Sequence, residues 1–240
     1  MESKGSILVT LLLLQYLSVL CVAQDYDFLY FVQQWPGALC DTKVSCCYPI
    51  TGKPAANFSI HGLWPISSSK KRTDFCDREN HFDYSKISDL SNRMQVSWPS
   101  LSCPSSNNTK FWSHEWEKHG TCAESAFDQH KYFEAALNLK DSVDLLQVLK
   151  NAGIEPVDGK LYSLDSVKEA IQKGVGFVPR LICNKDISKT SQLKEVYLCA
   201  DKNASTLIEC PITRGGSCPS KIEFPSFGSP TPAAALVSSS

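Results

Sequence analysis

The alternation of apolar and polar positions divides the chain into short elements of two different periods. Asp25–Pro36 (DYDFLYFVQQWP) is an aromatic run that predicts a buried strand ended by proline. Phe58–Pro65 (FSIHGLWP) predicts a second short strand, alternating up to His61 and then breaking at glycine and proline. Helical spacing is found in Ile87–Val96, Phe111–His119, Gln129–Leu149 and Ser166–Lys173, and strands are expected near Phe177–Cys183, Glu195–Ala200 and Leu207–Cys210. Helices and strands do not alternate strictly, so the fold expected is α+β, with a mainly antiparallel central sheet flanked by helices. Gln33 and Gln34 interrupt an apolar run. Either one of them faces a pocket or both are ordinary hydrogen-bonded strand-end residues.

Composition changes the picture at the two ends. Residues 1–23 read as an export signal: Lys4 gives a positive start, Ile7 to Leu20 is apolar, and Cys21-Val22-Ala23 offers a cleavage site after Ala23. The remaining chain of roughly 215 residues suits one domain with a substantial core, expected over 24–227. Residues 228–240, rich in Ser, Pro and Ala, have the composition of a disordered tail. The signal removes Cys21 from the chain's 11 cysteines and leaves an even set, which in an exported chain reads as a disulfide framework of unstated pairing. The adjacency of Cys46 and Cys47 does not suit a zinc site.

Net charge is −1, against a surface built to hold nucleic acid tightly; any such partner is handled locally and released. Lys70-Lys71-Arg72 is read as a solvated loop tip. Asn107 and Asn203 head sequons in turn-like stretches and are expected to carry glycans. The sequon at Asn57 lies too close to His61 to expect the same.

The densest chemistry lies in Phe111–Cys122 (FWSHEWEKHGTC). On a helix, His114 stacks one turn below Lys118 and Glu115 below His119, and the four polar heads share an arc of about 140°. Phe111 projects into the same sector, Gly120 offers a stop, and Cys122 can tie the end down. Two imidazoles, an ammonium and a carboxylate suit phosphoryl chemistry: cations hold phosphate oxygens and histidine moves protons near neutral pH. A zincin motif fails, because Lys118 stands where the second histidine ligand belongs. A Cys–His nucleophile is disfavoured by the commitment of the cysteines. A merely charged helix face remains as the bland alternative. His61, taken alone beside Trp64, reads as a core histidine.

Together, FSIHGLWP (58–65) and FWSHEWEKHGTC (111–122) closely resemble the two active-site blocks of the ribonuclease T2 family. Gln33-Gln34-Trp35-Pro36 and Ser45-Cys46-Cys47-Tyr48-Pro49 are similar to its plant members, the S-like ribonucleases above all. The resemblance implies a metal-independent endoribonuclease of α+β fold that needs no cofactor. It implies His119 as base, His61 as acid, His114 as phosphate ligand, and Glu115 and Lys118 as stabilisers of the charged transition state. It places Trp64 on the base upstream of the cleaved bond, and Gln34 with Phe111 at the downstream base. It pairs Cys40 with Cys46, Cys47 with Cys103, Cys76 with Cys122, Cys183 with Cys218 and Cys199 with Cys210.

The expected reaction yields 2′,3′-cyclic phosphates and then, slowly, 3′-phosphates. The partner expected is single-stranded RNA, with no DNA and no membrane anchor, for a monomer secreted to the extracellular space (apoplast) or the vacuole. Two rival readings are a catalytically silent ribonuclease-related storage or defence glycoprotein, disfavoured by the presence of both His61 and His119, and a self-incompatibility ribonuclease, disfavoured by the near-neutral charge.

Overall fold

The structure is a computed structural model that describes residues 26–68, 74–211 and 216–228. The expected leader, the Lys70-Lys71-Arg72 cluster and the tail beyond Gly228 lie outside the described residues.

Among the described residues the sheet has seven strands: β1 (Phe28–Gln34), β2 (Ser59–Ile66), β3 (Leu161–Ser163), β4 (Arg180–Lys185), β5 (Ser191–Ala200), β6 (Leu207–Ile208) and β7 (Lys221–Glu223). Their order is β2-β1-β5-β7-β3, with β4 and β6 also paired to β5. Every pairing is antiparallel except a single parallel contact between β5 and β7. The helices are α1 (Pro36–Cys40), α2 (Ser91–Ser97), α3 (Asn108–Lys118), α4 (Gln129–Ser142), α5 (Leu145–Asn151) and α6 (Leu164–Val175). The fold is therefore α+β with a mostly antiparallel sheet.

Strand β1 is buried along its whole length: the apolar run Phe28–Val32 requires it, and Gln33 and Gln34 are buried with it. Its side chains alternate between two environments. Leu29 and Phe31 join the largest core cluster with Trp98, Trp112, Trp116, Tyr132 and Phe133. Phe28, Tyr30 and Val32 join a small cluster with Cys199 and Cys210, and Trp64 and Tyr197 pack against that one. Five disulfides join Cys40–Cys46, Cys47–Cys103, Cys76–Cys122, Cys183–Cys218 and Cys199–Cys210, the pairing that the resemblance implies.

Three elements differ from the sequence expectation. Strand β2 does not break at Gly62 but runs on through Pro65; β2 lies at the end of the strand order, where a missing N–H costs no ladder bond. The helix expected over Gln129–Leu149 is two helices. Val143 turns extended (φ −136°, ψ 110°), and the Asp144 side chain accepts the Gln147 N–H to cap α5. The segment expected to be helical from Ile87 opens instead as a 3₁₀ stretch, Tyr84–Leu90, whose cap is Asp83.

Candidate active site

The strand side of the site is made by an irregularity in the sheet. Val32 pairs with Gly62 but Gln33 pairs with Ile60, so His61 is the extra residue of a β-bulge. A bulge re-aims one side chain without ending the strand. The His61 carbonyl accepts the Trp98 indole N–H at 2.9 Å, and the Trp98 carbonyl accepts the Trp112 indole N–H at 2.8 Å. Trp112 belongs to α3, so the helix fixes the backbone of the bulge through two buried indoles. Nδ1 of His61 lies 3.0 Å from Glu195 Oε1 on β5.

Helix α3 supplies the other side. Asn107 caps it by accepting the Lys110 N–H at 2.9 Å. Trp112 and Trp116 point into the core, and Glu115, only 1 % exposed, goes with them. Lys118 and His119 are half-buried and His114 is exposed.

The α-helix ends at its cap His119, next to Gly120 as expected, but not through a left-handed glycine. His119 keeps right-handed backbone angles and the chain passes into a 3₁₀ turn, Gly120–Ala123. Gly120 is required for another reason: a Cβ there would collide with the Trp116 ring. The Cys76–Cys122 disulfide and the hydrogen bond from Phe75 N–H to the Lys118 carbonyl (2.8 Å) hold this end of the helix.

The two sides meet at Trp64. Its ring stacks on His119 (centroids 5.1 Å apart, planes at 29°) and meets the edge of His61 at 5.0 Å. Its indole N–H donates to Glu115 Oε2 at 2.8 Å. Gly62 leaves room for that bond, since a Cβ on it would strike both Trp64 Nε1 and Glu115 Oε2. The two imidazoles thus lie one aromatic ring apart, on the same side of the molecule.

Burial sets the titration of the helix side. It pushes Glu115 up to about 7, against the opposing pull of His61, Trp64 and Lys118. It pushes His119 down to about 3, helped by the nearby Lys118 charge; His114, though more exposed, is lowered by partial desolvation and by Lys118. On the strand side burial also works to raise Glu195, but the hydrogen bond and charge of His61, with Lys194, hold it down at about 2.

Beside His61 opens a cleft of about 350 Å³, lined among others by Gln34, Ser100, Phe111, Lys194 and Glu195. Of the neighbouring glutamines, Gln34 is the one that lines this cleft, while Gln33 is wholly buried. The Phe111 ring is 6.0 Å from that of His61. Both sequon residues, Asn107 and Asn203, are exposed; Asn57 is half-buried, its side chain accepting the Phe58 N–H. Among the described residues no group of three His, Cys, Asp or Glu side chains is placed to hold a metal ion, and no helix is long and apolar enough to cross a membrane.

Three residues at the site carry no signal in the two sequence blocks: Lys194, Glu195 and Tyr197. All lie on β5, where the sequence KEVYL reads only as an alternating strand. The hint available was a carboxylate between Leu193 and the apolar run Val196–Ala200.

The Ribonuclease T2 family model matches residues 26–210 of the chain. Intracellular ribonuclease LX of Solanum lycopersicum is 56% identical over 229 residues, spanning 95% of this chain and 96% of that protein. Extracellular ribonuclease LE of the same species is 55% identical over 221 residues, spanning 92% and 96%. The crystal structure of RNase NT in complex with 5′-AMP superposes with a TM-score of 0.81 at 54% identity, covering 85% of this chain and 100% of that one. With both histidine blocks folded around one indole and these relatives spanning nearly all of its length, the chain belongs to the ribonuclease T2 family and is a ribonuclease of the plant S-like type.

Proposed function

We propose that this ribonuclease cuts single-stranded RNA internally, without a metal ion, by transphosphorylation between His61 and His119. RNA carries its own nucleophile, so the protein needs only to position the phosphodiester and move two protons. His119 takes the 2′-OH proton as the 2′-oxygen bonds to phosphorus. His61 protonates the 5′-oxygen as its bond to phosphorus breaks. The products are a 2′,3′-cyclic phosphate and a free 5′-hydroxyl, and water later opens the ring with the two roles exchanged.

The observation that carries this reading is the packing of both imidazoles against Trp64. The low value of His119 supports it as the base, because the ring stays neutral even in an acidic compartment. Glu115, raised to about 7, is largely protonated at acidic pH. A neutral carboxyl can face a phosphoryl oxygen without repelling it and can donate a hydrogen bond as charge builds there. Lys118 and His114 supply positive charge to the same oxygens. Trp64 is the platform for the upstream base, and the cleft of Gln34 and Phe111 takes the downstream one. A stacking platform engages only a splayed base, hence the single-strand preference.

The same reading includes export. The leader is removed after Ala23, one domain spans 24–227, residues 228–240 stay unfolded, and Asn107 and Asn203 carry glycans. The protein acts as a monomer in the extracellular space or the vacuole. The pairing of every cysteine from Cys40 to Cys218 fits an oxidising compartment.

The deciding experiment is digestion of RNA homopolymers and of DNA, each with and without EDTA. Cyclic-phosphate ends from RNA, an EDTA-insensitive rate and intact DNA are expected. Cleavage of DNA, or 5′-phosphate products, would overturn the mechanism.

A further inference from the structure

Glu195 is a buried carboxylate that nothing in the reaction above employs. Its position follows from a second irregularity in the sheet. Ile182 pairs with Glu195 but Cys183 pairs with Leu193, so Lys194 is an extra residue on β5. Glu195 itself pairs with Gln34 across β1, which brings its side chain to the floor of the cleft beside the His61 bulge.

Its oxygens are fully engaged. Oε1 accepts from His61 Nδ1 at 3.0 Å and from the Lys194 ammonium at 2.9 Å, while Oε2 accepts the Tyr197 hydroxyl at 3.2 Å. A buried carboxylate with three donors is ionised and has no freedom to turn. Being ionised, it only accepts, so the proton on the His61–Glu195 contact belongs to Nδ1. The neutral ring is thereby fixed as one tautomer, with its other nitrogen unprotonated until the ring gains a proton.

We propose that Glu195 is a positioning residue for His61: by accepting the Nδ1–H it fixes the ring's tautomer and angle, and so presents Nε2 to the scissile phosphodiester. Tyr197 and Lys194 brace the carboxylate in turn. The proposal rests on the reading of His61 as a proton-transfer residue. The other charged or titratable groups near His61 come from α3 and the residue after it: His114, Glu115, Lys118 and His119. None of them contacts Nδ1, so Glu195 alone sets which nitrogen faces the substrate.

The test compares Glu195→Ala and Glu195→Gln with the unaltered enzyme and with His61→Ala, on a dinucleoside monophosphate. Nitrogen-15 spectra of the histidine rings are recorded in parallel; the chain holds only five histidines, so the rings can be assigned. For Glu195→Ala we expect kcat to fall on the order of 10²-fold, at the low end of what proton transfer supplies, with KM within about threefold. The His61 signals should change from the Nδ1–H form to a tautomer mixture. Glu195→Gln keeps an acceptor but not the charge, and should lose roughly tenfold.

A structural role alone would lower the melting temperature and leave kcat per folded molecule and the His61 spectrum in place; that result overturns the proposal. If Glu195→Ala changes the ring signals but neither it nor His61→Ala lowers kcat, the reading of His61 has failed and not the contact with Glu195.

Discussion

On the strand side of the cleft, Glu195 is buried yet held at about 2 by His61 and Lys194; on the helix side, Glu115 is as deeply buried and rises to about 7. Both residues are glutamates within the same constellation, and the difference is one of donors. Glu195 receives three hydrogen bonds, two of them from groups that carry or can carry positive charge. Glu115 receives one, from a neutral indole. Burial by itself raises a carboxyl; only matched donors reverse it. The two histidines differ in a related way. His61 faces a carboxylate, whereas His119 faces Lys118 and the Trp64 ring and is held neutral down to about 3. One side of the cleft sets a histidine against an ionised carboxylate, the other holds one neutral against an ammonium and a ring, and the proposed proton transfer uses that difference.

The largest expected effects come from removing either member of that pair. His61→Ala and His119→Ala should each lower kcat on single-stranded RNA by about 10²–10⁴-fold. The His119→Ala midpoint should stay close to that of the unaltered enzyme, since that side chain is partly exposed, whereas His61→Ala, which takes a donor from the buried Glu195, should melt lower. If one variant keeps its rate, the division of labour between the two sides is wrong.

Next in size is Lys118→Gln. Removing the ammonium takes away the proposed phosphate contact and one of the causes that depress His119. We expect kcat to fall roughly 10²-fold and the acidic limb of the pH–rate profile to move up from the region of pH 3. The limb moves in that direction because a more basic His119 binds its proton earlier as pH falls. A limb that does not move would separate Lys118 from His119.

The contrast between the carboxylates is also a contrast in stability against pH. Glu115 goes from an ordinary value of 4.5 to about 7, so the folded protein binds more protons than the unfolded chain across that window, and this group's contribution falls as pH rises through it. Glu195 goes from 4.5 to about 2, so its contribution is present above 4.5 and is lost as pH falls towards 2. Glu115→Gln should therefore gain on the unaltered enzyme between pH 4.5 and 8, by about 2–3 kcal/mol. Glu195→Gln should be most destabilised at neutral pH and recover in acid. Denaturant titrations at three pH values read both signs, and trends of the same sign would remove the distinction.

The chemistry was far more legible in the chain than the geometry that serves it. The polar spacing of His114, Glu115, Lys118 and His119 is a one-turn pattern, and a helix realises such a pattern wherever it forms. The aromatic run of β1 and the α+β class followed from periodicity in the same way. The bulge at His61 did not, because it is a mismatch between two strands distant in sequence, and neither strand carries it alone. Glu195 was hidden for the same reason: it is 134 residues from His61 and meets it only through strand pairing. Gly120 was legible as a special position but for the wrong cause, since turn chemistry and room for Trp116 call for the same residue type.

The smallest expected effect tests the contact that joins the two sides. Gly62 stands next to His61 on β2, and the missing side chain lets the Trp64 N–H reach Glu115. Its backbone is ordinary strand, so an alanine there is a change of space rather than of conformation. In Gly62→Ala the added methyl must displace the indole or the carboxyl, and neither can move far: Trp64 is packed on His119 and Tyr197, and Glu115 is buried. We expect a loss of about 1–2 kcal/mol of stability from overpacking and the weakened hydrogen bond, seen as a melting temperature lower by roughly 2–8 °C. Glu115 should then titrate still higher, having lost its one donor, while Glu195, braced from β5, should keep its value. A variant in which both carboxylates shift together would mean that the two sides of the cleft are one electrostatic unit, and that the contrast between them is set by their shared surroundings rather than by their separate donors.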